Sequence, residues 1–360
     1  MDAKILPTRN TTFPGPSIRF RRPSPGCYPD AIVVTPRSTI MTEFAQPRLI
    51  GIDWGTTFLR AHLFGDDGAV IKRRDRPWGI RRLPGGSFPA ACREVAGDWR
   101  DRWPLVPVLA SGMVGSREGW HEVPYVECPA DAAAIAAAVV AFRSECGTIH
   151  LVPGVRQGGD APDVMRGEEV QIVGALVDRP QLADDSLLVL PGTHCKWARI
   201  RGGAIAGFTT YLTGELFAAL RDHSILGGPG RDAAMAAGAS ADIAAPAAST
   251  AFLRGVRAAR DAGSAGVSAR LFSTRSLFLA GELPAEESLD YLSGLLVGEE
   301  LRSVAAAQGG RLPRCAIVGT RSLCDRYARA FREFAGAEAD VLDDTAPAGL
   351  WSIAAAATIT

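Results

Sequence analysis

The same order of elements is written twice in this chain, and that repetition limits its fold more than any other feature. Residues 49–64, LIGIDWGTTFLRAHLF, read as an apolar strand, a Gly-Thr turn and a second short strand. A turn signal at Asp66-Asp67-Gly68, a third strand over 69–72 and helical spacing over 88–103 follow. Residues 186–223, SLLVLPGTHCKWARIRGGAIAGFTTYLTGELFAALRDH, repeat the pattern: strand, Gly-Thr turn, strand, Gly-Gly turn, strand, helix. Two such units predict an α/β protein with duplicated domains, 48–182 and 183–360, and a cleft between them. Between the units the pattern predicts a strand over 104–114 ending in a Gly-rich loop and a helix over 132–145 capped by Asp131. A strand over 148–155 and a helix over 163–178 come next. Beyond the second unit, 231–308 reads as mostly helical, with 231–248 as ordinary packed helix. A strand over 314–320 breaks at Gly319 before another helix. A short strand at 339–343 and an Ala-rich helix close the chain.

Composition removes several classes of function. Lys and Arg number 39 and Asp and Glu 39, so no net charge points to nucleic acid or an anionic membrane. Seven scattered cysteines form no C-x-x-C pair, which suits reduced thiols in the cytoplasm. No apolar run is long enough to span a bilayer. Residues 1–47 differ from the rest: Pro7, Pro14, Pro16, Pro23, Pro25, Pro29 and Pro36 predict a disordered extension. Met41, just before the first strand, is an alternative start.

The turns suggest the chemistry. Asp53 ends a buried strand, where a carboxylate is costly unless a cation or several donors meet it. Gly55 lets backbone N–H groups approach a ligand, and Thr56 and Thr57 add hydroxyls. Gly192 and Thr193 do the same in the second unit. Two such turns facing each other would grip a polyphosphate from both sides without a G-x-x-x-x-G-K-[ST] loop. A hydrated Mg²⁺ bridging phosphate oxygens would then partner Asp53. Arg117 and Trp120 follow a strand end, where ligands bind in α/β units, or else form a solvated loop with an aromatic anchor. Glu168 and Glu169 suit a helix N-terminus, and one of them suits a general base. His194 and Lys196 flank the second turn as ligand groups or as a satisfied imidazole and a surface amine. Arg60 reads as a structural ion pair. His62, His121 and His150 lack metal spacing, so no zinc site is expected. The absence of G-x-G-x-x-G disfavours a Rossmann dehydrogenase.

With these motifs in place the chain resembles the superfamily of sugar kinases, Hsp70 chaperones and actin, whose fold is a pair of ribonuclease H-like, actin-like ATPase domains with an ATP cleft between them. Gly51-Ile52-Asp53-Trp54-Gly55-Thr56-Thr57 matches its first phosphate motif and Pro191-Gly192-Thr193-His194 its second. Ala316-Ile317-Val318-Gly319-Thr320 matches its adenosine motif. Within the superfamily it is most similar to the 2-dehydro-3-deoxygalactonokinases, through DWGTTFLRA, ASGMVGSREGW, PDVMRGEEVQIVGAL, LPGTHCKW and TGELFAALRDHSIL. The resemblance implies ATP and Mg²⁺ as cofactors, with Asp53 toward the metal and Gly319 toward the nucleoside. It implies a small sugar-acid partner, 2-dehydro-3-deoxy-D-galactonate, phosphorylated at its terminal hydroxyl, with homo-oligomerisation left open. Related kinases carry an aspartate where this chain has Gly167-Glu168. The implied base is therefore Glu168, with Asp163 or Glu169 as alternatives. The substrate carboxylate calls for a cation, and Arg117 is the candidate, with Arg166 and Lys196 behind it. A kinase for another sugar, and an actin- or Hsp70-like nucleotide switch, are the competing readings.

Overall fold

A computed structural model describes residues 46–238, 249–310, 312, 315–336 and 338–360. Of the extension expected over 1–47, all but 46 and 47 lies outside the described residues, as does 239–248 of the Ala-rich stretch. The elements below belong to one compact unit, Ala45–Thr360.

The chain runs β1 (Leu49–Trp54), β2 (Leu59–Phe64), β3 (Val70–Arg76), α1 (Phe88–Arg102), β4 (Val108–Gly112), β5 (Val126–Glu127), α2 (Ala132–Ala137), β6 (Val140–Ser144), β7 (Gly147–Leu151), β8 (Val155–Gln157), β9 (Asp163–Met165) and α3 (Glu168–Asp178). It continues with β10 (Asp185–Leu190), β11 (Cys195–Arg201), β12 (Ala204–Tyr211), α4 (Thr213–His223), α5 (Gly228–Ala236), α6 (Thr250–Arg260), α7 (Ser273–Leu279), α8 (Ser288–Ala307), β13 (Cys315–Val318), α9 (Arg321–Ala335), β14 (Asp340–Leu342) and α10 (Ala346–Ala356).

One sheet has the order β3-β2-β1-β4-β7-β6 and another β12-β11-β10-β13-β14. In each, an antiparallel hairpin pair precedes strands added in parallel on the other side of the first strand. The shared core order is that of the ribonuclease H-like fold, present twice. This is the duplicated actin-like ATPase architecture.

Period-two alternation sorts the side chains of each sheet. Ile50, Ile52 and Trp54 pack with Ala91, Val95 and Trp99 of α1. Leu49 and Phe64, on the opposite face, join α3 and α10 in a core that also contains Leu188, Leu190, Ala198 and Ala316 of the second sheet. The far face of that sheet, with Val189, Cys195 and Trp197, is covered by α6, α8 and α9. Each fully buried Val, Leu, Ile or Phe contributes about 1.5–3 kcal/mol, so the shared core is what holds the sheets together.

Three expected elements differ. The helix expected over 132–145 stops at Ala137, though Asp131 does cap it by accepting from Ala134 N. Val140–Ser144 instead forms β6, the sheet edge, and the chain turns at Gly147, at φ 86°, into β7. Val140 gains more from that edge than from helix, where β-branching is penalised. The helix expected over 163–178 starts only at Glu168, because Gly167 adopts φ 108° and Asp163–Met165 is a strand. The strand expected over 148–155 is divided at Val152-Pro153-Gly154, since Pro153 has no N–H for a ladder. Its second part, β8, joins β5 and β9 in a three-stranded sheet.

Candidate active site in the cleft between the sheets

Asp53, the last residue but one of β1, lies directly opposite Arg60 on β2 and beside Ser111 on β4. Burial raises its pKa, and Arg60, whose guanidinium donates to Oδ2 at 3.1 Å, opposes that rise. The other oxygen, Oδ1, faces Gly112; a Cβ there would sit 3.6 Å from it. Arg60 also reaches Asp75 at 3.6 Å, Arg73 pairs with Asp75 at 2.9 Å, and Arg73 approaches Asp344 at 3.5 Å. Arg60, Arg73 and Asp344 line a cavity of about 310 Å³ with Gln171, Gly319, Thr320, Arg321 and Asp343. Both sheets therefore contribute to this cavity: β2 and β3 from one side, the ends of β13 and β14 from the other.

The first turn is exposed at Thr56 and Thr57, and Gly55 N donates to Phe58 O at 2.9 Å. It rests on a loop not singled out in the sequence. Gly79 N donates to Thr57 O, Ile80 N to Gly55 O, and Trp54 Nε1 to Trp78 O. A Cβ on Gly79 would lie 1.9 Å from Thr56 O, so only glycine lets this loop support the turn.

Gly112 leads on to the start of α3, since a Cβ on Gly167 would lie 3.3 Å from the Gly112 Cα. Here Glu168 accepts from Arg166 N at 3.0 Å, and Glu169 accepts from Gly167 N at 2.9 and 2.7 Å. Burial raises the pKa of Glu168, while Lys196 and His194, from the opposite sheet, lower it. Glu169 is fully buried; burial first, and then the charge of Glu168, push it up to about 8. Lys196 is 5 % exposed and donates to Thr210 Oγ1 at 2.9 Å. His194 bonds Glu215. Asp163 accepts from Thr210 at both carboxylate oxygens and is tied to the edge of β12.

Gly192 and Thr193 border a second cavity, of about 330 Å³, walled by Thr213, Gly214, Phe217 and Ala218 of α4, by Leu296 and Val297 of α8, and by Leu323, Arg326 and Tyr327 of α9. A polar rim on an apolar pocket suits a flat heterocycle attached to a charged chain.

The side chains of the remaining candidates belong to the loop after β4 and its supports. Arg117 is exposed on the loop after β4. Trp120 packs edge-on against Trp54 and Phe142 and stacks on Phe88, anchoring that loop. Arg166 donates to Val123 O at 2.7 Å, and its guanidinium lies 4.3 Å above the Tyr125 ring.

Comparison with known proteins identifies the family. The family profile described as 2-keto-3-deoxy-galactonokinase matches residues 53–353. The 2-dehydro-3-deoxygalactonokinase of Escherichia coli (strain K12) is 37 % identical over 311 residues, covering 85 % of this chain and 97 % of that protein. The crystal structure of a proposed 2-dehydro-3-deoxygalactonokinase from Sinorhizobium meliloti superposes with a TM-score of 0.75 at 32 % identity, covering 85 % of this chain and 98 % of the other.

The chain belongs to the 2-keto-3-deoxy-galactonokinase family.

As a member of this carbohydrate kinase family it carries two features that the sequence reading passed over. Arg73 and Asp75, two residues apart on β3, supply ion pairs beside Asp53 and Arg60, and that spacing of two was the available signal. The buried carboxylate of Glu300 on α8 accepts from Trp197 Nε1, from Tyr327 at 2.9 Å and from Thr213, bracing two walls of the kinase's apolar cavity. Nothing local distinguishes Glu300 from Glu299. Among the described residues no helix is long and apolar enough to cross a membrane, and no three His, Cys, Asp or Glu side chains are grouped to hold a metal.

Proposed function

We propose that the chain transfers the terminal phosphoryl group of ATP to the 6-hydroxyl of 2-dehydro-3-deoxy-D-galactonate, in the cytoplasm and as a step of D-galactonate breakdown. The observation that carries this reading is Glu168: a carboxylate at the start of α3, facing Lys196 and His194 of the hairpin that holds Gly192 and Thr193. Glu168 accepts the hydroxyl proton as the phosphoryl group arrives, and Asp163 positions rather than abstracts. Gly55, Thr56 and Thr57 on one side and Gly192 and Thr193 on the other hold the phosphates. The apolar cavity takes the base, with Gly319 near the sugar.

Asp53 fits a magnesium ion. It is a single hard carboxylate with one oxygen turned toward the side-chain-free Gly112, which suits an ion that keeps most of its ligands as water and phosphate. Such an ion neutralises charge on the transferred phosphates. Arg60 holds Asp53 in place by its other oxygen.

Arg117, on its loop tip, takes the substrate carboxylate. Trp120 and Arg166 hold that loop from behind, through the aromatic cluster and Val123 O. We further propose that the lobes divide at 182/183. The decisive experiment is an ATP-consumption assay across sugar acids and their neutral counterparts. Turnover of a neutral sugar as fast as the acid would sink the substrate assignment, and no ATP consumption with any of them would sink the reaction.

A further inference from the structure

Lys196 and Thr210 face each other directly across the β11–β12 pair. The Lys196 ammonium donates to Thr210 Oγ1 at 2.9 Å, and that hydroxyl donates to Asp163 Oδ1 at 2.7 Å. Thr210 N donates to Asp163 Oδ2 at 2.7 Å, and Val164 N donates to Oδ1 at 2.8 Å. The direction of this chain is fixed, because an ammonium only donates and a carboxylate only accepts. The hydroxyl must therefore take from one and give to the other. β12 is the edge of its sheet, so the outward N–H of Thr210 would otherwise lack a strand partner. Asp163 fills that place, and it comes from the same segment that carries Glu168 five residues later.

We propose that Thr210 is a positioning residue for phosphoryl transfer: with Asp163 it holds the Lys196 ammonium against Glu168 and the arriving phosphoryl group. The inference rests on the proposed reaction. In that step the acceptor O–H bond breaks, its proton passes to Glu168, and the oxygen forms the new bond to phosphorus as the bond to the nucleoside diphosphate breaks. Lys196 balances the negative charge. The groups acting on Glu168 are Lys196 and His194 from the hairpin, Glu169 beside it, and the Arg166 N–H. Without Thr210 the ammonium loses its fixed partner, and Glu168 loses the positive charge that opposes the burial-driven rise of its pKa.

The test compares Thr210→Val and Thr210→Ser in the full chain, with ATP and the sugar acid. Valine keeps the shape and removes the relay, whereas serine keeps the hydroxyl. Thr210→Val should lower kcat about ten- to a hundredfold, the worth of a hydrogen bond to a charged group. The KM for ATP should change less than about threefold. The acid limb of the kcat profile should move to higher pH, because the base must be ionised. Thr210→Ser should restore kcat to within about threefold of wild type. Should Thr210→Val fold poorly, Asp163→Asn gives the same reading, with lowered kcat and the same shift of the acid limb. Wild-type kcat in the variants, serine no better than valine, or a loss confined to thermal midpoint or to the KM for ATP would each overturn the proposal. If wild type uses a neutral sugar instead of the acid, the substrate assignment fails separately, and the variants are compared with that sugar.

Discussion

Glu168 and Glu169 are chain neighbours whose pKa values are both raised by burial, but only Glu168 has the cations of the opposite hairpin acting on it. Glu169 is pushed up to about 8 by burial and then by the charge of Glu168, whereas Lys196 and His194 oppose the burial-driven rise of Glu168. Replacing Glu168 by Gln should lower kcat by roughly two to four orders of magnitude with little change in the KM for ATP. Steady-state kinetics near wild type would place the base elsewhere. His62 offers a different test. It is 1 % exposed on β2, neither ring nitrogen has a hydrogen-bond partner, and burial lowers its pKa to about 4. Between about pH 6.5 and 4 the unfolded chain takes up a proton that the folded chain refuses, so stability falls as pH falls through that window. The loss from pH 7 to pH 5 is about 2 kcal/mol. His62→Leu should remove it, and urea unfolding at the two pH values would show the same drop in variant and wild type if the idea is wrong.

At the scale of elements, glycines set how closely helices cross. A Cβ on Gly174 of α3 would lie 1.9 Å from Thr345 O, and one on Gly349 of α10 would lie 1.9 Å from Val170 O. The helices meet backbone to backbone, and Thr345 Oγ1 donates to Gln171 O at 2.7 Å. Gly174→Ala must separate them, at a cost of about 1–3 kcal/mol or more. Gly97, within α1, meets nothing nearer than the Arg93 Cβ at 3.8 Å. There alanine should add about 0.5–1 kcal/mol through helix propensity. Calorimetry should find the first variant melting below wild type and the second above it; equal midpoints would refute the crossing argument.

Across the whole molecule, ligands bridging the cleft should stabilise both sheets together. At a hundredfold excess over Kd, Mg²⁺-ATP should add about 2.7 kcal/mol and raise the melting midpoint by several degrees. Chelating the metal should remove part of that gain. Asp53→Asn should lose the metal-dependent part and keep the rest. A variant whose midpoint still responds to Mg²⁺ as wild type does would exclude Asp53 from the metal.

The two Gly-Thr turns and the strands leading into them were readable along the chain, because each is a local pattern of apolar alternation interrupted by Gly and Thr. Their repetition gave the duplicated fold. Glu168 stood out because an acidic pair before an apolar helix is also local. Sequence failed where contacts between distant segments outweighed propensity. Ala132–Ala137 follows its helical composition, yet Val140–Ser144 is drawn into a sheet edge that only the assembled domain provides. Thr210 was invisible as a site residue because its partners, Asp163 and Lys196, lie 47 and 14 positions away. Glu300 and Gly79 were invisible for the same reason. Local pattern determined which elements form and where the turns fall. Tertiary structure decided which of the many charged side chains are desolvated together, because burial and partnership belong to the packed whole.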